Sequence, residues 1–207
     1  MAATDRPLDE GDVDPDPIAQ FRRWYDDAVA HGADQPDAMV VATVAADGAP
    51  NARVVLLRGV DDDGFRFFTN LESTKGVELA ADPRVAVLFH WRETGRQVRA
   101  RGVVEPVPAE EALAYWLQRP RESRISAWAS RQSEPIASRA AMERTADAVL
   151  ERLGDDGDVD LPPFWGGYRV VVHEVELWQH RAHRFHDRLR YSRTKPPRAW
   201  TIERLQP

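Results

Sequence analysis

Met39-Val40-Val41-Ala42-Thr43-Val44 is followed by Asp47-Gly48 and then by Arg53-Val54-Val55-Leu56-Leu57. Two β-rich apolar runs separated by an Asp-Gly pair read as a hairpin, because that dipeptide accepts the geometry of a tight turn. Asp61 to Gly64 turns the chain again and Phe65 to Thr69 returns, so three strands in close succession predict an antiparallel meander. Connections this short cannot carry the crossover that a parallel pair needs. The class that follows is α+β rather than a parallel βαβ sheet.

Before this stretch, Ile18, Phe21, Tyr25, Ala28 and Val29 recur at helical spacing from Pro17 and predict a helix ending near Gly32. Residues 1–16 carry acid and proline with almost no apolar side chains, and read as a disordered acidic arm. After it, Ser73-Thr74-Lys75-Gly76 opens a short helix to about Ala81, with Ser73 as candidate N-cap. Arg84 to Trp91 reads as a strand, Thr94-Gly95 as a turn, and Arg96 to Val104 as a further strand. Gln97, Arg99 and Arg101 fall on one of its faces, Val98 and Ala100 on the other. Pro108 to Gln118 predicts a helix burying Leu113, Trp116 and Leu117, with Tyr115 and Arg119 on its opposite flank. A longer helix is expected from Ser133-Glu134-Pro135, striped by Met142, Ala146, Val149, Leu150 and Leu153. Asp155 to Asp160 and Leu161-Pro162-Pro163 read as a connector; Tyr168 to Trp178, Leu189 to Arg193 and Ala199 to Leu205 complete the strands. Six or so antiparallel strands with peripheral helices predict a barrel in one domain over 17–207.

Lys+Arg 28 against Asp+Glu 34 gives −6, which disfavours wholesale binding to nucleic acid or an anionic membrane. Cys 0 excludes thiol catalysis, thiolate metal sites and disulfides, and fits a reducing compartment. No run approaches the ~20 apolar residues of a membrane span, and no secretory signal is visible, so a soluble cytoplasmic protein is expected.

No glycine-rich nucleotide fingerprint, nucleophile elbow or His-Glu-x-x-His occurs. His173, His180, His183 and His186 invite a metal reading, but Arg181, Arg184 and Arg188 beside them would repel a divalent cation, so no metal is expected. Anion binding fits better. Arg53 lies on a strand, and Ser73 and Lys75 stand at a helix start, where backbone N–H groups favour phosphate. Tyr115, Arg119 and Ser123 make a second candidate grip. Each cluster alone reads more readily as an ordinary cap beside a surface arginine. Near the C-terminus, Glu176-Leu177-Trp178-Gln179 and Arg184-Phe185-His186-Asp187-Arg188 concentrate Trp, His and Arg where the ordinary reading is a solvated basic turn.

Taken in order, Arg53-Val54-Val55-Leu56-Leu57-Arg58, Phe68-Thr69, Ser73-x-Lys75, Arg96-Gln97, Tyr115-x-x-x-Arg119-Pro120-Arg121-x-Ser123, Ala127-Trp128, Gln132-Ser133, Trp165-Gly166-Gly167-Tyr168 and the C-terminal motif resemble the pyridoxamine 5′-phosphate oxidases. The likeness runs from about Ile18 to Pro207. It implies an FMN-binding split β-barrel, a homodimer with FMN at the interface, and oxidation of pyridoxine or pyridoxamine 5′-phosphate to pyridoxal 5′-phosphate, with O2 reduced to H2O2. It gives Arg53, Lys75 and Ser133 to the FMN phosphate region, with Thr74 where some members carry an Arg. Val54, Val55, Leu56, Leu57 and Arg58 would run along the flavin, with Phe68, Thr69, Gln97, Gln132, Trp178 and Arg188 as further FMN contacts. Arg58, Tyr115, Arg119 and Ser123 would hold the substrate phosphate, and Arg184 and His186 would lie over the pyridine ring as the catalytic pair. The chain departs from the family pattern at Arg58, commonly Lys, and at Phe185, commonly a smaller aliphatic residue. It also lacks an Arg-Glu-Tyr segment in its arm. Two alternatives stand beside the oxidase: a flavin oxidase of another ring, of the phenazine-biosynthesis type, and a non-catalytic flavin- or vitamer-binding protein. Retention of Tyr115, Arg119 and Ser123 argues against the first, although the Arg58 change and the missing arm segment favour it, and retention of Arg184 and His186 argues against the second.

Overall fold

Asp16 accepts the N–H of Ile18 and Pro17 takes the first helical position, so α1 (Pro17–Ala30) begins where a capped, pre-set φ allows it. The computed structural model describes residues 6–153, 157–193 and 199–207. The buried face of α1 carries Ile18, Phe21, Trp24 and Ala28, whereas Val29 is exposed. Trp24 lies in the buried stripe where Val29 was expected, and the Arg96 guanidinium lies over its ring at 4.7 Å. Phe21 meets the rings of Phe65 at 4.7 Å and Phe89 at 4.8 Å. Burial of one such side chain stabilises by about 1.5–3 kcal/mol.

The strands are β1 (Ala38–Val44), β2 (Pro50–Leu56), β3 (Gly59–Val60), β4 (Gly64–Asn70), β5 (Arg84–Trp91), β6 (Arg96–Pro106), β7 (Trp165–Gln179), β8 (Asp187–Ser192) and β9 (Thr201–Arg204). The sheet runs β2-β1-β5-β6-β7-β4-β3, β8 pairs β7 and β9 pairs β8, and every pairing among the described residues is antiparallel. The β1–β2 hairpin forms as expected, but the three-strand meander does not. β4 pairs β7 along its length, Gly64 opposite Val171 and Asn70 opposite Trp165, and β2 is left at the sheet edge. The sheet curls until β2 lies near β4. β7 is the spine: its first half pairs β4, its second half β8, and β6 runs along its other side. His173 is an extra residue opposite Arg101-Gly102, and a Cβ on Gly102 would lie 2.0 Å from the Val171 carbonyl oxygen. The bulge needs glycine there.

Helices α2 (Thr74–Ala81), α3 (Ala109–Gln118), α4 (Arg121–Ala129) and α5 (Arg139–Leu153) lie around this sheet. Helix α4 had no counterpart in the sequence reading; its Ile125 is buried. α3 buries Ala112 and Trp116, but Leu113 and Leu117 are exposed, contrary to expectation. α5 starts at Arg139 rather than near Ser133 and buries no residue fully in this protomer. The expected disordered arm is packed where it is described. Leu8 and Val13 join the main core, and Tyr191 donates its hydroxyl hydrogen to the Asp14 carbonyl. Two apolar residues among many acids suffice, because local composition does not reveal a groove supplied by distant strands. Residues 1–5 of that arm and Asp155 and Asp156 of the connector lie outside the described residues.

Candidate active site

The Ser73 hydroxyl caps α2 by accepting the Gly76 N–H and donates to the Asn70 carbonyl at 2.6 Å. Ser73→Ala is expected to lower stability by about 1 kcal/mol, read as a lower urea midpoint at unchanged m-value. One position into the helix, Lys75 is buried, and its ammonium donates to Thr69 Oγ1 (3.1 Å), Ser73 Oγ (3.1 Å) and Gln132 Oε1 (2.7 Å). All three partners are neutral oxygens. Burial, and then the nearby Arg53 charge, push its pKa down to about 8, with Glu78 opposing. The Thr74 N–H donates to the Ser133 hydroxyl at 3.2 Å, which brings Ser133, at φ 78, to the same helix end.

Arg53 projects from β2 toward this cluster and donates to Thr43 Oγ1, the Val41 carbonyl and Glu78 Oε2. Burial raises the Glu78 pKa, but hydrogen bonds from Asn51, Thr43 and Arg53 outweigh it and hold the carboxyl below its usual range. Sequence reasoning found Arg53 and Lys75 and missed Glu78, which lies three residues after Lys75 on the same side of α2. Nothing in the sequence pointed to Thr43, an ordinary strand residue by pattern. A helix N-terminus, two cations and one carboxylate already bound to an arginine fit a phosphate group.

Phe68 and Thr69 are successive on β4 and point to opposite faces. Thr69 reaches Lys75; Phe68 stacks on Tyr115 at 4.2 Å and on Trp165 at 5.4 Å. A Cβ on Gly167, the cross-strand partner of Phe68, would lie 2.6 Å from the Phe68 ring, so glycine gives that ring its space. Arg119 lies over Trp165 at 5.1 Å and Trp116 at 5.4 Å, and donates to the carbonyl of Ser123 at 3.0 Å. Burial lowers its pKa; Tyr115 opposes this and the Arg58 charge adds to it. Among the described residues no carboxylate lies within ion-pair distance of Arg119 or Lys75. Arg58 pairs with Asp37 at 2.6 Å and shares with Tyr115, Leu57 and Tyr25 an open cleft of about 570 Å³. On edge strand β2, Val54 and Leu56 are exposed and Leu57, just beyond it, is buried.

A further set forms elsewhere on the sheet. Gln97 pairs with Trp178, and Trp178 with Arg188, so the three share one row and one face across β6, β7 and β8. Arg188 donates to Glu176 Oε1 and to the Gln206 carbonyl; Glu176, missed in the sequence, also pairs with Arg99. Trp178 packs against the His186 ring at 4.6 Å. The Arg181 N–H points at His186 Nδ1 (3.1 Å), which leaves the proton of the neutral ring on Nε2. Burial, then the charges of His180 and Arg184, lower the His186 pKa. Among the described residues, no hydrogen bond, ion pair or ring contact joins this set to the Lys75 or Arg119 clusters within one chain. Arg184 and Phe185 are exposed, Phe185 to 74%.

The profile of the family described as "Pyridoxamine 5′-phosphate oxidase" matches residues 25–152, and that of its "C-terminal dimerisation region" matches 165–207. The chain belongs to the pyridoxamine 5′-phosphate oxidase family. It is an oxidoreductase family, and the set on Gln97, Trp178 and Arg188 draws two of its members from the dimerisation region. The chain is 54% identical over 201 residues to the pyridoxine/pyridoxamine 5′-phosphate oxidase of Burkholderia multivorans, covering 97% of this chain and 93% of that protein. It is 49% identical over 200 residues to the protein of the same name from Salinibacter ruber, with the same coverage. Among solved structures, PhzG from Burkholderia lata in complex with tetrahydrophenazine-1-carboxylic acid superposes with TM-score 0.90 at 32% identity over all of both chains. A pyridoxamine 5′-phosphate oxidase-related, FMN-binding protein from Nostoc punctiforme superposes with TM-score 0.71 at 19% identity, covering 90% of this chain and 97% of that one. The fold is the α+β split barrel of this family. No helix among the described residues is long and apolar enough to cross a membrane.

Proposed function

We propose that the chain is a cytoplasmic, homodimeric FMN-dependent oxidase that converts pyridoxine and pyridoxamine 5′-phosphate to pyridoxal 5′-phosphate. The observation that carries this reading is two cations that meet no carboxylate among the described residues, Lys75 buried and Arg119 half-buried, in separate clusters reached by Thr69 and Phe68 of β4. Two separate phosphate-suited grips match a phosphorylated cofactor and a phosphorylated substrate. A non-phosphorylated ring would use only one.

In this reading Arg53, Lys75, Ser133 and the Thr74 N–H hold the FMN phosphate. Val54, Val55, Leu56, Leu57, Arg58, Phe68, Thr69 and Gln132 line the flavin, and Gln97, Trp178 and Arg188 of the partner protomer close it. When bound, the flavin would supply a two-electron acceptor for the hydride lost from the substrate C4′ carbon, with O2 reduced to H2O2; for the amine substrate, water would hydrolyse the resulting imine and release ammonia. Arg58, Tyr115, Arg119 and Ser123 grip the substrate phosphate, and that remote binding energy fixes the reacting carbon in place. Arg184 orients the ring substituents. His186, its Nδ1 occupied by the Arg181 N–H, presents Nε2 to position the substrate or carry its proton.

A second reading, a flavin oxidase of an unphosphorylated ring, draws on the superposition with PhzG. A third, a flavin- or vitamer-binding protein without catalysis, leaves Arg184 and His186 without a role. One experiment separates them. The purified protein is expected to carry FMN, to be bleached by pyridoxine 5′-phosphate without air, and to form aldehyde and peroxide in air. Bound FMN that neither pyridoxine nor pyridoxamine 5′-phosphate reduces would sink the first reading.

A further inference from the structure

The segment His180 to His186 carries Arg184 and His186, and inside it the Arg181 N–H meets His186 Nδ1 and the Phe185 N–H meets the Ala182 carbonyl. His183 and Arg184 are successive non-glycine residues in the left-handed region, at φ 58 and 64. Such residues persist only where their surroundings over-determine them. The two ends of the segment, Gln179 and Asp187, face each other across β7 and β8, and both also meet the same short piece of the N-terminal arm.

At the first end, Gln179 is 2% exposed. Its Nε2 donates to the Arg6 carbonyl at 2.8 Å, and its Oε1 accepts from Arg96 Nε at 3.2 Å. At the second end, Asp187 Oδ2 accepts the Leu8 N–H at 3.1 Å. Arg204, near the C-terminus, donates to Asp187 Oδ1 at 3.0 Å and to the Leu8 carbonyl at 2.8 Å, and also pairs with Asp9 and Glu10. Leu8 itself is buried in the main core, which anchors the strap. Residues 6–8 therefore bridge the two stems of the loop, a backbone carbonyl meeting one and a backbone N–H the other.

We infer that residues 6–8 are a clasp that positions the Arg184–His186 loop, with Gln179 and Asp187 as its two fastenings and Arg204 as the bolt across the second. Asp187 and Gln179 are positioning residues; they act through the loop and not on substrate. The kinetic consequence rests on the oxidase reading above, because only there do Arg184 and His186 meet the substrate. Displacing such a loop by ~1 Å is enough to cost a sizeable factor in rate.

The test compares three FMN-loaded proteins with the unaltered one: a form lacking residues 1–8, full-length Asp187→Ala, and the two combined. Amide hydrogen exchange of residues 180–187 is expected to quicken by about tenfold or more in both single forms. The combined form is expected to fall short of the sum of the two single effects, since both remove the Leu8–Asp187 link while Asp187→Ala also removes the Arg204 and Arg181 contacts. With flavin content unchanged, kcat/KM for pyridoxine 5′-phosphate is expected to fall about tenfold, mostly through KM. A role in general stability alone would instead give additive losses and leave KM in place. Unchanged exchange at 180–187 in Asp187→Ala overturns the clasp, whatever the truncated form does. If the unaltered protein fails to oxidise the B6 phosphate esters, the oxidase reading falls, and the exchange measurement still decides the clasp.

Discussion

Arg119→Ala is expected to lower kcat/KM for pyridoxine 5′-phosphate by about 100-fold, chiefly through KM, while the flavin stays bound. The guanidinium is half-buried, lies over the Trp165 and Trp116 rings, and donates to a backbone carbonyl. Burial already disfavours its charge. A phosphate dianion arriving there gains charge-assisted hydrogen bonds in a site where water competes poorly. The loss falls on KM because the phosphate is remote from the bond that breaks and is held equally before and during reaction. Arg119→Lys should recover only part of it, since a point charge replaces a planar fork. Steady-state kinetics with parallel flavin absorbance checks both halves. Loss of FMN from the Arg119→Ala protein would mean that the two phosphate grips are exchanged.

Lys75→Met is expected to weaken FMN binding by about 100-fold, since it removes a charged donor from a buried phosphate site. The same residue predicts a pH dependence in the unaltered protein. In the apoprotein the Lys75 pKa is pushed down to about 8 from an ordinary value of 10.5. The unfolded chain therefore holds this proton more tightly than the fold does. Below about pH 8 both states are protonated and the penalty on the apo fold is constant. Between about 8 and 10.5 that penalty is relieved as pH rises. Binding runs the opposite way. The bound phosphate favours the ammonium and raises its pKa, so with the phosphate a dianion above about pH 7, FMN affinity is level to about pH 8 and then falls, by at most about tenfold per pH unit. Fluorescence titration of the apoprotein with FMN from pH 6 to 10 reads this directly. The Lys75→Met protein should lose the inflection. An inflection that survives the substitution would assign the titration to another group.

Much of the candidate site was legible because cations at a helix start and beside an aromatic ring are residue types that sequence displays. Ser73 before Lys75 announces a capped helix start, and Tyr115 four before Arg119 places ring and cation on one flank. The partners that hold those groups were not legible. Glu78 fixes Arg53, Asp37 fixes Arg58 and Glu176 fixes Arg188, and each reads alone as one acid among many. Leu113 and Leu117 were expected inside α3 and are exposed, since helical period gives the width of an apolar stripe and not what covers it. The acidic arm was misread for the reverse reason: its composition is that of a solvated chain, but Leu8 and Val13 find a groove built by other elements.

By itself the sequence determined the local grammar of this protein: the α1 stripe, the Asp47-Gly48 turn, the Ser73 cap, the antiparallel class, and the residue types suited to two anions. Those follow from interactions a few residues apart. Only the tertiary structure decided that β4 pairs β7 and not β2, that Phe68 and Thr69 serve different clusters from opposite faces of one strand, and that Arg6 and Leu8 hold both stems of the Arg184–His186 loop. A period of two assigns each side chain to a face but leaves the neighbouring strand open. That neighbour is chosen when the whole sheet closes around α1, and the sites lie where distant strands then meet.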